Sequence, residues 1–215
     1  EKLLLMNYLP MIYPKPYTKK KLTEEELNKK NIYSCPQTLF KIHPDFDQII
    51  FDILEKDKKG VFYLIKDSNK VWYKKLIKRL SKNKKYDSKK IIFMDPLSYE
   101  DYLLHLGRSS VLLDPLYYGA GNSFFESMLF GTPTITFPTD YIKSRLVLGA
   151  YKQMEIKNAP IATSIQNYID LAVKYANRDD ISILKNSYKT AAEKKLFNTK
   201  KAGEEFNKII SNLFN

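Results

Sequence analysis

The chain is poor in residues that cross-link, ligate metals or span membranes. One cysteine, Cys35, among 215 residues excludes an intrachain disulfide and fits reducing surroundings. The two histidines, His43 and His105, form no zinc-ligand spacing with Cys35, so no metal site is expected. No apolar run approaches the roughly 18 residues that a membrane crossing requires, so no transmembrane segment is expected. Ser109 and Ser110 do not sit in a Gly-x-Ser-x-Gly elbow, which removes a hydrolytic triad of that kind. No methionine opens the chain, and Glu1–Asn7 lacks the charge pattern and cleavage site of a secretory leader. The sequence reads as part of a longer polypeptide, with a cytoplasmic setting as the expectation.

Lysine is what the chain has in excess. The net charge is +12, but residues 1–90 carry 22 Lys and Arg against 11 Asp and Glu, whereas residues 91–150 carry 3 against 6. The surplus therefore lies away from the glycine-bearing segment. Lys70, Lys74, Lys75, Lys78 and Arg79 read as one solvated helix face rather than a stripe with base-reading groups, and no nucleic-acid partner is expected.

Pro10, Pro14 and Pro16 bar a continuous helix, so residues 1–30 read as a linker or strap, with a short helix at Thr23–Lys30 capped by Thr23. Residues 31–215 read as one domain. Ile32–Cys35, Val61–Ile65, Ile91–Met94, Val111–Leu113 and Pro133–Phe137 are expected strands. Between them lie helical stripes: Phe46, Ile49, Ile50, Ile53 and Leu54; Trp72, Leu76 and Leu80; a helix near Tyr99–Leu106; and one from about Asn122 carrying Phe124, Phe125, Met128 and Leu129. Short, non-alternating strands between amphipathic helices predict an α/β fold, a parallel sheet with helices on both faces. Right-handed crossovers then put the strand-to-helix loops along one edge. Ile165–Tyr175, Ile181–Lys194 and Lys200–Phe214 add a C-terminal helical segment from about residue 165.

The most informative string runs Asp114-Pro-Leu-Tyr-Tyr-Gly-Ala-Gly-Asn-Ser-Phe-Phe-Glu126: a strand end, a small-residue turn and a helix start. Gly119 and Gly121 allow close approach, and first-turn amides suit a pyrophosphate. Neither the dinucleotide Gly-x-Gly-x-x-Gly fingerprint nor a Walker A loop is present. An anion site and an ordinary turn with a cap fit this spacing equally. Glu126 is likewise open: Ser123-x-x-Glu126 has the form of a capping box, while a carboxylate one turn into such a helix also suits ribose hydroxyls. Lys41, beyond the first strand, is placed either to neutralise a diphosphate or as one more solvated lysine. Tyr99 and Tyr102 open the fourth helix, where a ring stacks on a base or packs on the sheet.

Together, Cys-Pro-Gln-Thr-Leu-Phe-Lys-Ile-His-Pro-Asp-Phe-Asp at 35–47, Leu-Asp-Pro-Leu-Tyr-Tyr-Gly-Ala-Gly-Asn-Ser-Phe-Phe-Glu at 113–126, Gly-Thr-Pro-Thr-Ile-Thr at 131–136 and Leu-Phe-Asn-Thr-Lys at 196–200 carry a family signal. The chain resembles the O-linked N-acetylglucosamine transferases, and the plant Spindly-type relatives are similar in the same places. The resemblance implies the Rossmann-like C-terminal lobe of a two-lobed (GT-B type) glycosyltransferase, usually behind tetratricopeptide repeats. It places diphosphate stabilisation on Lys41, phosphate contacts on Asn122 and Ser123 beside Gly119 and Gly121, and ribose recognition on Glu126. Gln37 and Thr38 fall beside a polar nucleotide contact, and Leu97, Tyr99 and Tyr102 are taken as the base side. Two departures stand out: the animal enzyme has histidine where this chain has Tyr102, and histidine and threonine at Gly121 and Asn122.

The same resemblance implies metal-independent, inverting transfer from UDP-N-acetylglucosamine, or another nucleotide sugar, to Ser or Thr hydroxyls of a protein acceptor bound through missing N-terminal regions. No cofactor is implied, no residue here is a convincing base, and the fragment alone is expected to bind nucleotide without turnover. GDP-fucose as donor, a two-lobed polysaccharide glycosyltransferase and a non-catalytic interaction module are the alternatives.

Overall fold

Five short parallel strands organise the computed structural model, which describes residues 4–198 and 200–214. They are β1 (Ile32–Cys35), β2 (Val61–Ile65), β3 (Ile91–Met94), β4 (Val111–Leu113) and β5 (Thr134–Ile135), in the order β3-β2-β1-β4-β5. Tyr33 sits opposite Phe62 on one side and Val111 on the other. The chain thus moves outward from β1 to β3 and then restarts on the far side of β1. That reversal opens a crevice beyond the carboxyl ends of β1 and β4, where ligands collect in open α/β sheets.

The apolar run in β4 follows from cover on both faces. Successive side chains point to opposite sides of a strand. Val111 and Leu113 join the cluster containing Phe46, Ile49, Ile50 and Ile53 of α2 (Pro44–Lys56) and Tyr168 and Ala172 of α7 (Ile165–Ala176). Leu112, between them, packs with Leu103 and Leu106 of α4 (Tyr99–Arg108). Each such buried side chain contributes about 1.5–3 kcal/mol. A third cluster joins Phe124 and Phe125 of α5 (Asn122–Ser127) to Val147, Ala150 and Tyr151 of α6 (Leu146–Gln153) and Tyr188 of α8 (Ile181–Ala191).

Two loci lock the helical layers. Gly131 turns at φ 72°, and a Cβ there would lie 1.8 Å from the Lys185 carbonyl oxygen, so glycine alone lets α8 approach. The fully buried Lys185 ammonium donates to the carbonyls of Leu27 at 2.9 Å and Gly107 at 2.7 Å, tying α1 (Glu24–Leu27) and α4 to α8. Burial pulls this lysine down to about 7.

Residues 4–22 contain no regular element and lie along the lobe. The Asn7 amide donates to Glu205 of α9 (Lys200–Phe214) at 2.9 Å, the Leu9 amide to Gln153 at 2.9 Å, and the Thr18 hydroxyl to Glu100 at 2.8 Å. Glu1–Leu3 of the expected strap and Thr199 of the 196–200 motif lie outside the described residues.

Four sequence expectations need adjustment. Trp72 is 41% exposed rather than buried. The inward stripe of α3 (Val71–Leu80) is Tyr73, Leu76 and Leu80, at i, i+3 and i+7, which leaves Trp72 against Phe40 and Lys75. The fifth strand shrinks to Thr134–Ile135, because Thr136 turns to pair with Ile161 instead. The helix from Ile181 keeps its α form only to Ala191 and continues as a π turn, Ala192–Leu196, in which the Phe197 amide reaches the Ala192 carbonyl. The helix after Thr23 is a single turn, closed by a reciprocal Thr23–Glu26 capping box.

Candidate functional site

The loops after β1 and β4 meet over the crevice, and a cleft of about 540 Å³ lies between them. Asp114 anchors the β4 side. Its buried carboxylate accepts the Ala120 amide on one oxygen and the Thr136 hydroxyl, at 2.6 Å, on the other. Gly119 closes against it, since a Cβ would lie 2.9 Å from Asp114 Oδ1. The Gly119 amide is itself occupied by the Lys143 carbonyl at 2.9 Å. Gly119 therefore packs the turn; its amide is not free for an anion. Burial pushes the Asp114 carboxyl up to about 7, against the pull of Thr136, the Ala120 amide and Lys41.

At the head of α5, Gly121 occupies the cap position and no side chain caps the helix. The amides of Gly121, Asn122 and Ser123 meet no protein acceptor among the described residues, and all three residues border the cleft. Such orphan donors are the local requirement for holding an anion. The Ser123–Glu126 capping box, one of the two arrangements the sequence leaves open, does not form. The Ser123 hydroxyl accepts from the Gln37 side-chain amide. Glu126 accepts from Tyr13 at 3.0 Å on one oxygen and from Tyr102 at 3.1 Å on the other.

The loop after β1 supplies the facing wall. A single 3-10 turn, Leu39–Lys41, follows the exposed Thr38, whose carbonyl accepts the Lys41 amide at 2.9 Å. The Lys41 ammonium is 3.0 Å from Gln37 Oε1 and 4.4 Å from the centre of the Tyr118 ring. Among the described residues no carboxylate forms an ion pair with it, so it is not spent on the protein's own acids. Burial pulls Lys41 below the ordinary lysine value, while the Asp114 charge pulls the other way. Buried Gln37 thus bridges Lys41 to Ser123 and links the two loops across the crevice.

Beyond Thr38 a second hollow of about 440 Å³ opens, with Leu97 and Tyr99 on its outer wall. It shares Gln37, Thr38, Tyr102 and Glu126 with the first. Tyr99, 54% exposed, stacks beside Tyr102 with ring centres 6.4 Å apart. Because the Tyr102 hydroxyl is tied to Glu126, its ring rather than its polar tip is left for the hollow. Among the described residues no cluster of His, Cys, Asp and Glu is able to hold a metal.

The structure thus brings Gln37, Thr38, Lys41, Tyr102, Gly119, Gly121, Asn122, Ser123 and Glu126 to one cleft, and Leu97 and Tyr99 to the neighbouring hollow. Sequence reasoning missed Tyr118, Ile142, Lys143 and Leu146 on the cleft wall, and Tyr13 behind Glu126. Tyr118 lies inside the informative string. The others arrive from distant segments and carry no local signal.

The sequence profile of glycosyl transferase family 41 matches residues 20–206. The chain belongs to that family. Family 41 membership agrees with the fold seen in solved structures. A Thermobaculum terrenum O-GlcNAc transferase mutant superposes with a TM-score of 0.73 at 16% identity, covering 94% of this chain and 37% of its own. S. aureus TarM gives 0.65 at 16% identity, covering 95% and 38%, and the pneumococcal O-GlcNAc transferase GtfA gives 0.53 at 13%, covering 87% and 37%. No curated protein matches the chain in sequence. The chain spans less than two fifths of the solved structures' length, and its α/β lobe is the Rossmann-like lobe expected of a two-lobed family 41 enzyme.

Proposed function

We propose that the cleft binds the diphosphate of a nucleotide sugar and that this lobe serves an inverting glycosyltransferase. One observation carries the reading: among the described residues, three amides without a protein acceptor, at Gly121, Asn122 and Ser123, share a cleft with an ammonium, Lys41, that no carboxylate neutralises directly. The diphosphate lies against these donors, the ribose beside Glu126, and the base in the hollow bordered by Leu97, Tyr99 and Tyr102. In the transfer, an acceptor oxygen bonds to the anomeric carbon as the bond from that carbon to the diphosphate breaks, and both electrons of that bond leave with the phosphate. Lys41 and the amides stabilise the charge that accumulates there. Thr38 and Asn122, both at the cleft, add polar contacts.

UDP-N-acetylglucosamine is the favoured donor. Structurally similar proteins support this: TarM holds UDP with α-GlcNAc-glycerol, and GtfA holds UDP with GlcNAc. The acceptor is a Ser or Thr hydroxyl of a protein, in the cytoplasm, engaged through regions of a longer polypeptide that also supply the base. The 215-residue chain alone binds nucleotide with negligible turnover and needs no metal. Calorimetric titration of UDP, GDP and their sugars tests this. Preference for UDP-N-acetylglucosamine is the expected result. Preference for GDP-fucose reassigns the donor, and a folded chain that binds no nucleotide reduces the lobe to an interaction module.

A further inference from the structure

Tyr13 precedes Glu126 by 113 residues, yet its hydroxyl donates to Glu126 Oε1 at 3.0 Å. Its ring stacks on Phe125, with centres 5.0 Å apart and planes 22° from parallel. The segment around it is fastened on both sides, by the Leu9 amide to Gln153 and by Lys15 to Glu193 at 2.7 Å. Tyr102 takes the second oxygen of Glu126 from α4. Burial, reinforced by Glu126, raises both phenols well above the usual tyrosine value, so both remain donors.

A carboxylate offers about four lone-pair sites on two oxygens. Tyr13 and Tyr102 occupy one site on each oxygen, with the Tyr99 hydroxyl also close to Glu126, and the remaining acceptor capacity borders the cleft and the hollow. Two acceptor sites on one carboxylate match two vicinal hydroxyls. A free glutamate side chain would have to be ordered when ligand arrives, and here the tyrosines order it beforehand.

We propose that Tyr13 is a positioning residue: from the N-terminal segment it orients the Glu126 carboxylate toward a ribose diol, making residues 4–20 part of the nucleotide site. This rests on the reading of Glu126 as the ribose acceptor. Tyr13→Phe keeps the stack on Phe125 and removes only the hydroxyl. The full chain and this variant are titrated by calorimetry with UDP and GDP, each beside its 2′,3′-dideoxy analogue, after circular dichroism shows both folded. The variant is expected to bind the preferred diphosphate about tenfold more weakly, the usual scale for a charge-assisted hydrogen bond, with the dideoxy analogue unaffected. Native discrimination between diol and dideoxy ligand with an identical ratio in Tyr13→Phe overturns the role of Tyr13 alone. A native chain that does not discriminate at all overturns the ribose reading and this inference with it. Equal weakening for both ligands makes Tyr13 merely structural and rejects the proposal.

Discussion

Gln37 ties Lys41 to Ser123, accepting from the lysine ammonium at 3.0 Å and donating to the serine hydroxyl. One buried amide side chain thereby sets the spacing between the cation on the β1 loop and the helix start on the β4 loop. If this pairing serves a diphosphate, its two halves should fail differently when altered.

Removing the cation should act through phosphate charge alone. Lys41→Ala is expected to weaken UDP and GDP by ~2 kcal/mol, about thirtyfold, while leaving uridine and guanosine binding nearly unchanged. Calorimetry with the nucleosides as controls checks this, and equal losses for nucleoside and diphosphate would reject the role.

The two glycines of the turn should separate stability from binding. A Cβ at Gly121 meets only Leu146, at 3.7 Å, whereas one at Gly119 meets Asp114 at 2.9 Å. Gly121→Ala should unfold within ~0.5 kcal/mol of the native chain yet bind UDP more weakly, because the methyl projects where phosphate approaches. Gly119→Ala should lose ~1–3 kcal/mol of stability from the overlap. Urea unfolding beside UDP titration distinguishes them.

Asp114 predicts a pH signature on the acid side. Its folded value, about 7, lies above the ordinary carboxylate value, so between about pH 4 and 7 the folded chain holds a proton the unfolded chain has released. This group's contribution to stability falls as pH rises through that window. Asp114→Asn stays neutral and accepts the Ala120 amide through its oxygen, so the variant should gain in melting temperature relative to the native chain from about pH 5 to 7.5. A constant difference between the two melting curves would contradict it.

Lys185 predicts the opposite slope at higher pH. Its folded value, about 7, lies below the ordinary lysine value, so above pH 7, up to about 10, the unfolded chain carries the extra proton. Its contribution to stability therefore falls as the pH drops through that range and rises with pH across it. Lys185→Met lacks the titration, and the melting temperature of the native chain relative to this variant should increase between about pH 7 and 9.5. Parallel melting curves over that interval would show that burial does not depress this lysine.

What could be read from the chain was whatever repeats locally. Val111–Leu113 declares a strand covered on both faces, and Phe46, Ile49, Ile50 and Ile53 declare a helix, because period and burial coincide within a few residues. The small-residue turn before Asn122 marked the cleft for the same reason. Choices between equally local patterns could not be made. Trp72 and Tyr73 each complete a plausible stripe with Leu76 and Leu80, and the sheet accepts Tyr73. Ser123-x-x-Glu126 has the grammar of a cap, but Gln37, Tyr13 and Tyr102 claim its two side chains from 24 to 113 residues away. The packing role of Gly119 has no local signal, because Asp114, the group it closes against, meets it only in the folded loop.

The open donors at the head of α5 are main-chain amides, which among single substitutions only proline deletes. If the cleft holds a diphosphate as proposed, its main-chain share of the grip persists through most substitutions, whereas the share carried by the Lys41 ammonium is lost with that one side chain.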